Sequence, residues 1–188
     1  MHKIFFHFLD RVLKPHRGLP RHLFHLISML SPVVNVEAIV TDIESACLVL
    51  IYRDDEFYGP GWHLPGGIVR SRETMCSRIV KMVKAELNLD VDDFSIESCV
   101  SIAESIDLIR SVRSHFVSFT FLIRVQSNFS FPAFRDEHIY ANGDIAVHTS
   151  VPSNLISEHI KYLSVLEEIL SRMSMINLPL KTTFHIGK

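Results

Sequence analysis

The chain has 188 residues, enough for one domain with a sizeable core plus a small appendage. Hydrophobic residues make up 47% and the formal net charge is −2, which suits a soluble globular protein and removes any general electrostatic reason to bind nucleic acid. Cys47, Cys76 and Cys99 form no C-x-x-C pair and lie in apolar segments, so they read as reduced, buried thiols of a cytoplasmic protein rather than as a disulfide or metal framework.

Residues 1–31 stand apart in composition. Lys3, Arg11, Lys14, Arg17 and Arg21 face Asp10 alone, interleaved with Phe5, Phe6, Phe8, Leu9, Val12 and Leu13, then Leu23, Phe24, Leu26 and Ile27. This pattern predicts two short basic amphipathic helices, broken at Pro15, Gly18 and Pro20. No apolar run there approaches the roughly 20 residues of a spanning helix, and charges punctuate the segment in a way a signal peptide would not tolerate. We read residues 1–31 as a helical extension and 32–188 as the main domain. The extension is expected to pack on that domain or on a second copy in a homodimer, with peripheral contact to an anionic membrane as the other reading.

From Val33 the pattern becomes β-rich. Val33–Thr41 and Cys47–Tyr52 read as strands joined by a turn over residues 42–45. Arg53 closes the second strand, and Asp54, Asp55 and Glu56 read as a solvated rim. Pro60, Gly61, Pro65, Gly66 and Gly67 then punctuate a loop, the paired glycines allowing a tight bend or a close approach of bare backbone to a ligand. A helix is predicted over Thr74–Leu89, with Ser71 as N-cap and Glu73 in the first turn. Its apolar face comprises Cys76, Val80, Val83 and Leu87, broadened by Met75, Ile79 and Met82.

Beyond it, Phe94–Glu104 and Ser114–Val125 read as strands, the second alternating strictly. Residues 127–143 form a loop long enough to suggest function by length alone, and Asp136, Glu137 and His138 lie within it. Ile145–Val151 is a further strand, with Asp144 at its entrance. The final helix, from Pro152, carries Leu155, His159, Tyr162, Leu163 and Leu166 opposite Glu158 and Lys161. The tail from Met175 carries no signal.

Gly67, Glu73, Lys81, Val83, Glu86 and Leu89 keep the spacing of a Nudix box, and the stretch resembles that family's motif. The resemblance implies an α/β/α sandwich with a mixed sheet between helices. It also implies hydrolysis of a nucleoside diphosphate linked to another group, with Mg²⁺ or Mn²⁺ held by box carboxylates. Lys81 replaces the motif's arginine, Met82 and Ala85 replace two glutamates and Asn88 replaces the last glycine, so Glu86 is what remains of the core carboxylates. GDP-mannose mannosyl hydrolase, a Nudix branch, is similar in having an apolar residue and an alanine at those two places; it has an arginine where this chain has Ile68.

From that resemblance the metal ligands are expected to be Glu86, the Gly66 carbonyl and Glu73. The expected substrate contacts are Arg53, Gly67 and Lys81, and water activation falls to Glu137 or His138, with Asp144 as a rival. Glu73 and Lys81 read first as architecture, Glu73 tying down the glycine loop. A Mg²⁺ ion needs few protein carboxylates when substrate phosphates and water complete its shell. The resemblance implies a small nucleotide derivative as the ligand. The competing class is a domain that has kept the pocket and lost the chemistry, a nucleotide- or protein-binding module.

Overall fold

The computed structural model describes residues 11–42, 47–126, 130–171 and 181–186. The predicted turn over residues 42–45 and the first part of the extension fall largely outside them. Helix α1 (Arg21–Leu30) precedes β1 (Val33–Asp42), β2 (Leu48–Arg53), β3 (Gly61–His63) and β4 (Gly66–Ile68). Helix α2 (Met75–Leu87) then leads to β5 (Phe94–Ile106), β6 (His115–Val125) and β7 (Ile145–His148). A 3₁₀ turn (Ser157–Tyr162) runs into α3 (Leu163–Ser171), and β8 is Lys181–Ile186.

The strands form one mixed sheet in the order β3-β2-β1-β6-β5-β8, with β4 pairing β1 and β7 pairing β2. β1 runs parallel to β6 over its whole length, from Val33 beside Phe116 to Asp42 beside Val125. Its other edge is divided. Near its end β1 meets β2 at Val40 and Val49, whereas its beginning pairs with β4, Glu37 opposite Gly66. The sheet therefore splays between β1 and β2, and the opening becomes a cavity.

Two apolar layers cover the two faces, making the sandwich. Val36, Ala38 and Val40 of β1 pack with Ile79, Met82, Val83 and Leu87 of α2. Ile39, one residue out of phase, packs with Tyr162, Val165, Leu166 and Ile169 on the α3 side. The period of two that sends successive β1 side chains to opposite faces thus puts Glu37 on the α3 face, among groups that the box helix does not touch. Each fully buried aliphatic side chain in these layers contributes about 1.5–3 kcal/mol.

Some boundaries differ from the sequence reading. Thr74, not Ser71, caps α2, its Oγ1 accepting the Ser77 N–H at 3.1 Å, and Asn88 ends the helix in the left-handed conformation at φ 57°. Starting the helix there turns Cys76 outward, so this thiol is exposed where a buried one was expected, while Cys47 is buried and Cys99 partly so. The last helix is shorter than predicted, its beginning wound as the 3₁₀ turn. The tail expected to carry nothing supplies β8, which adds to β5 in parallel. Among the described residues no helix is long and apolar enough to cross a membrane.

The described part of the extension docks on the domain. Ser28 Oγ accepts the Arg113 N–H at 3.1 Å, His25 stands edge-on to Phe57, and Arg21 pairs with Glu56. Leu26, Ile27, Met29 and Leu30 remain exposed on the helix.

Candidate functional site

A cavity of about 510 Å³ opens where β1 and β2 splay. Its walls come from Asn35 and Glu37 on β1, Ile51 to Arg53 on β2 and Gly66 and Gly67 on β4. Glu86 of α2, Phe116 and Ser118 of β6, and Glu158, His159 and Lys161 of the 3₁₀ turn complete it.

At one end, Glu86 Oε2 accepts the Gly66 N–H at 3.2 Å. Burial pushes this carboxyl up to about 7, against the lowering effects of that N–H and of the Arg53 and Arg78 charges. A glutamate with such an acidity stands poised to hold or release a proton near neutrality. The glycine pair matters through space rather than backbone conformation, for neither glycine has a positive φ. A Cβ at Gly67 would sit 2.7 Å from Arg78 Nε, and that nitrogen is buried with no hydrogen-bond partner among the described residues. Arg78 is therefore a site residue that the motif did not point to.

The site suits a divalent cation through Glu86, because a buried carboxylate whose charge is incompletely met gains from a cation beside it. Among the described residues no group of three or more His, Cys, Asp or Glu side chains could hold a metal ion. Glu86 is the box carboxylate in the cavity wall.

Glu73 and Lys81 take the architectural role. Glu73 Oε1 accepts from Lys81 Nζ at 2.8 Å and its Oε2 accepts the Arg70 N–H at 3.0 Å, fastening the segment before α2. Neither residue lines the cavity. Arg53 does. Its Nε lies 2.6 Å from Asp55 Oδ2, and its guanidinium sits over the Tyr58 ring, which Arg110 and Arg113 also approach. Asp55, read as part of a solvated rim, instead organises this corner: its Oδ1 accepts the N–H groups of Phe57 and Tyr58, and its carboxyl is lowered by them and Arg53 despite partial burial. Arg113 lines the cavity and has a buried Nε without a hydrogen-bond partner.

The loop before β7 reaches the cavity through Asn142 and Gly143, not through its acidic run. Asn142 Oδ1 accepts the Asp54 N–H at 3.0 Å, and the Gly143 N–H donates to the Tyr52 carbonyl at 2.9 Å. Glu137 and His138 are exposed and do not line the cavity; the His138 ring packs edge-on against Tyr140 at 4.6 Å. Asp144 spends Oδ2 on the Ala141 N–H.

Beside Gly66, which pairs with Glu37 across the sheet, lies a polar cluster that the sequence reading did not assemble. The Leu64 N–H donates to His159 Nδ1 at 2.9 Å. With Nδ1 engaged as an acceptor the ring proton belongs on Nε2, which faces Glu37 Oε1 at 3.5 Å. Asn35 Nδ2 donates to the same Oε1 at 2.9 Å. Burial alone would raise the Glu37 carboxyl, but His159, then Lys161, hold it well below the ordinary carboxylate range. The Tyr162 hydroxyl also favours the ionised form, without a hydrogen bond of ordinary geometry. Lys161 is lowered by burial, opposed by Glu37 and Glu158, and its Nζ lies 2.7 Å from Ser105 Oγ. His63 donates from Nδ1 to the Ile51 carbonyl at 2.7 Å, and burial pushes it down to about 3, so it stays neutral.

No family model matches the chain, and no curated protein matches it in sequence. Solved structures do match. A NUDIX hydrolase from Nitrosomonas europaea is 16% identical with a TM-score of 0.58, covering 82% of this chain and 80% of its own. The chain has the Nudix fold. An ADP-ribose pyrophosphatase from Streptococcus suis is 15% identical at a TM-score of 0.53, covering 81% of this chain and 99% of its own. A bifunctional NMN adenylyltransferase/ADP ribose pyrophosphatase from Francisella tularensis, solved with AMP and a manganese ion, is 19% identical at 0.52. That match covers 79% of this chain and 46% of the other. In this Nudix fold, Gly66, Gly67 and Glu86 of the box line the cavity together with Glu37, His159 and Lys161, which the box does not describe.

Proposed function

We propose that the chain is a Nudix-type hydrolase that cleaves a nucleoside diphosphate linked to another group, such as a nucleotide sugar, in the cavity between β1 and β2. The observation that carries this is Glu86: a partly buried carboxyl raised to about 7, seated against Gly66 in the cavity wall. Arg53 and Arg113 give the rim positive charge suited to phosphates. Water attacks one phosphorus of the diphosphate, the bridging P–O bond breaks, and two phosphate monoesters leave. The proton of the attacking water passes to Glu86, whose Oε2 is steadied by the Gly66 N–H. Mg²⁺ or Mn²⁺, when bound, would be held by Glu86 and the Gly66 carbonyl and would neutralise charge on the diphosphate.

This assignment moves the base from the loop to the box. The double change Glu137→Gln, His138→Gln is expected to leave turnover unchanged, because neither side chain lines the cavity. A rate falling as far as that of a Glu86 variant would return the base to the loop.

Residues 1–31 we propose as an extension of the domain, docked through α1 on the Phe57 loop and the Arg113 turn. One observation favours a second reading, a nucleotide-binding module without turnover: the box end offers Met82 and Ala85 where carboxylates would strengthen a metal site. Screening nucleoside diphosphate sugars, ADP-ribose, dinucleoside polyphosphates and nucleoside triphosphates with Mg²⁺ and Mn²⁺ separates the two. Products support the hydrolase; binding without product supports the module.

A further inference from the structure

Helix α1 docks on the domain by its polar side. Arg21, His25 and Ser28, spaced four and three residues apart, share one side of the helix, and they meet Glu56, Phe57 and the Arg113 turn. The opposite side carries the apolar residues: Leu30 is 77% exposed, and Leu26, Ile27 and Met29 are between 41% and 56% exposed. A surface helix ordinarily buries its apolar stripe on the core, so α1 is turned the wrong way round for a helix that only caps the domain. The turn that receives Ser28 joins β5 to β6, and it adds Leu108 and Ile109, both largely exposed.

The segment that leads into this helix supplies charge. Residues 11–36 contain Arg11, Lys14, Arg17 and Arg21 and no aspartate or glutamate. Arg11, Lys14 and Arg17 are exposed, while Arg21 pairs with Glu56. A Cβ at Gly18 would come within 3.5 Å of the Arg70 guanidinium carbon, so a further basic side chain stands at this end of the helix. An apolar helix side with basic residues at its approach matches the surface of an anionic bilayer, where apolar side chains enter the acyl boundary and cations meet headgroup phosphates. A second copy of the chain fits less well. The four α1 side chains expose on the order of a few hundred Å², short of the roughly 800 Å² per partner of a stable interface, and a two-fold contact would bring like-charged segments together.

We propose that α1 and the basic segment before it form a docking surface for an anionic membrane, with Leu26, Met29 and Leu30 entering the headgroup boundary and Arg11, Lys14 and Arg17 meeting acidic lipid headgroups. The surface adjoins the cavity. Arg113, whose N–H is held by Ser28, lines both the cavity between β1 and β2 and a groove beneath α1 walled by Phe24, His25 and Phe57. Docking through the outer side of α1 therefore sets the Arg113 edge of the cavity one helix diameter, ~10 Å, from the bilayer. It stands independently of which ligand the cavity takes.

The experiment is cosedimentation of the full chain, without nucleotide, with vesicles of phosphatidylcholine alone and of phosphatidylcholine and phosphatidylglycerol at about three to one. The mixed vesicles should be bound about 100-fold more tightly, since each of three basic residues near an anionic surface contributes about five-fold, and added salt should weaken that binding. Lys14→Ser with Arg17→Ser should lower the affinity about 25-fold on the same scale. Leu26→Asp with Leu30→Asp should abolish binding and leave the unfolding transition unchanged, because both side chains already face solvent. The wild-type comparison needs no variant. Equal binding to both vesicles, or binding to neither, would overturn the proposal, as would mixed-vesicle binding that survives Leu26→Asp with Leu30→Asp. A dimer in sedimentation equilibrium that dissociates in that double variant, with no vesicle binding, would give the apolar side to a second copy and overturn it too. Because nucleotide is absent throughout, failure here leaves the hydrolase reading untouched.

Discussion

Glu86→Gln is expected to lower turnover by about 10²- to 10⁴-fold, the usual contribution of a positioned acid or base, and at the same time to make the protein more stable at pH 8. The second effect follows from linkage. Folding raises this carboxyl from 4.5 to about 7, so the native state binds more protons than the unfolded chain across that interval and stability falls as pH rises through it. Below pH 4.5 Glu86 carries no such cost; above 7 the whole cost is present. A difference of that size corresponds to a destabilisation on the order of 3 kcal/mol at pH 8. Glutamine keeps the acceptor for the Gly66 N–H and cannot ionise. In thermal or denaturant unfolding with EDTA, the variant should gain stability over wild type at pH 8 and match it near pH 4. Equal stability at both pH values would mean that Glu86 is better solvated than its position indicates. Site residues are commonly kept at a cost in stability.

Lys161→Met should destabilise the protein by about 1–2 kcal/mol at pH 7, because it removes a positive charge near buried Glu37 and the hydrogen bond of Lys161 Nζ to Ser105 Oγ. Asn35 Nδ2 also donates to that carboxylate, and His159 Nε2 faces it. In the wild type Glu37 is lowered on folding, so its contribution is present above the unfolded-state value and is lost as pH falls through the folded one. Without Lys161 that lowering weakens or reverses. The gap between variant and wild type should therefore be full at neutrality and close as pH falls below 4.5 towards about 2. Adding Glu37→Gln to Lys161→Met should recover the electrostatic part of the loss, since no buried charge is then left alone. Urea unfolding of the four proteins at pH 2, 4.5 and 7 measures this, and a deficit independent of pH and of residue 37 would show that Lys161 acts through packing of its stem and the Ser105 hydrogen bond alone.

The parts of this fold that the sequence made legible are those with a strong period. β1, β2, β5 and β6 lie close to where alternation predicts them, and α2 buries Ile79, Met82, Val83 and Leu87 at helical spacing. Glu86 and the glycine pair were legible through the box. Glu37 was not, since a glutamate in a β-rich run looks like an outward-facing polar residue. Reading Asn35 and Glu37 as alternate members of one face, polar where Ile39 further along is apolar, was the available signal. Glu158 and Lys161 share a side by their spacing, and taking that side for solvent was reasonable for a helix on the outside of a sandwich. The cavity turns it inward, which no local pattern encodes. Arg113 depends on a left-handed residue at φ 54° and on α1 packing against it. Both are tertiary facts. Glu137 and His138 lie outside the cavity, and the loop reaches it through Asn142 and Gly143, to which its length and charge give no pointer.

Product formation by the wild-type protein is the most direct measurement. With Mg²⁺, a nucleoside diphosphate joined to a sugar should be converted to a nucleoside monophosphate and a sugar phosphate, with the oxygen of solvent ¹⁸O-water found in one of the two, at a rate that rises through pH 7. The same nucleotide bound in the cavity, with no cleavage of any member of the panel with either Mg²⁺ or Mn²⁺, would contradict the hydrolase.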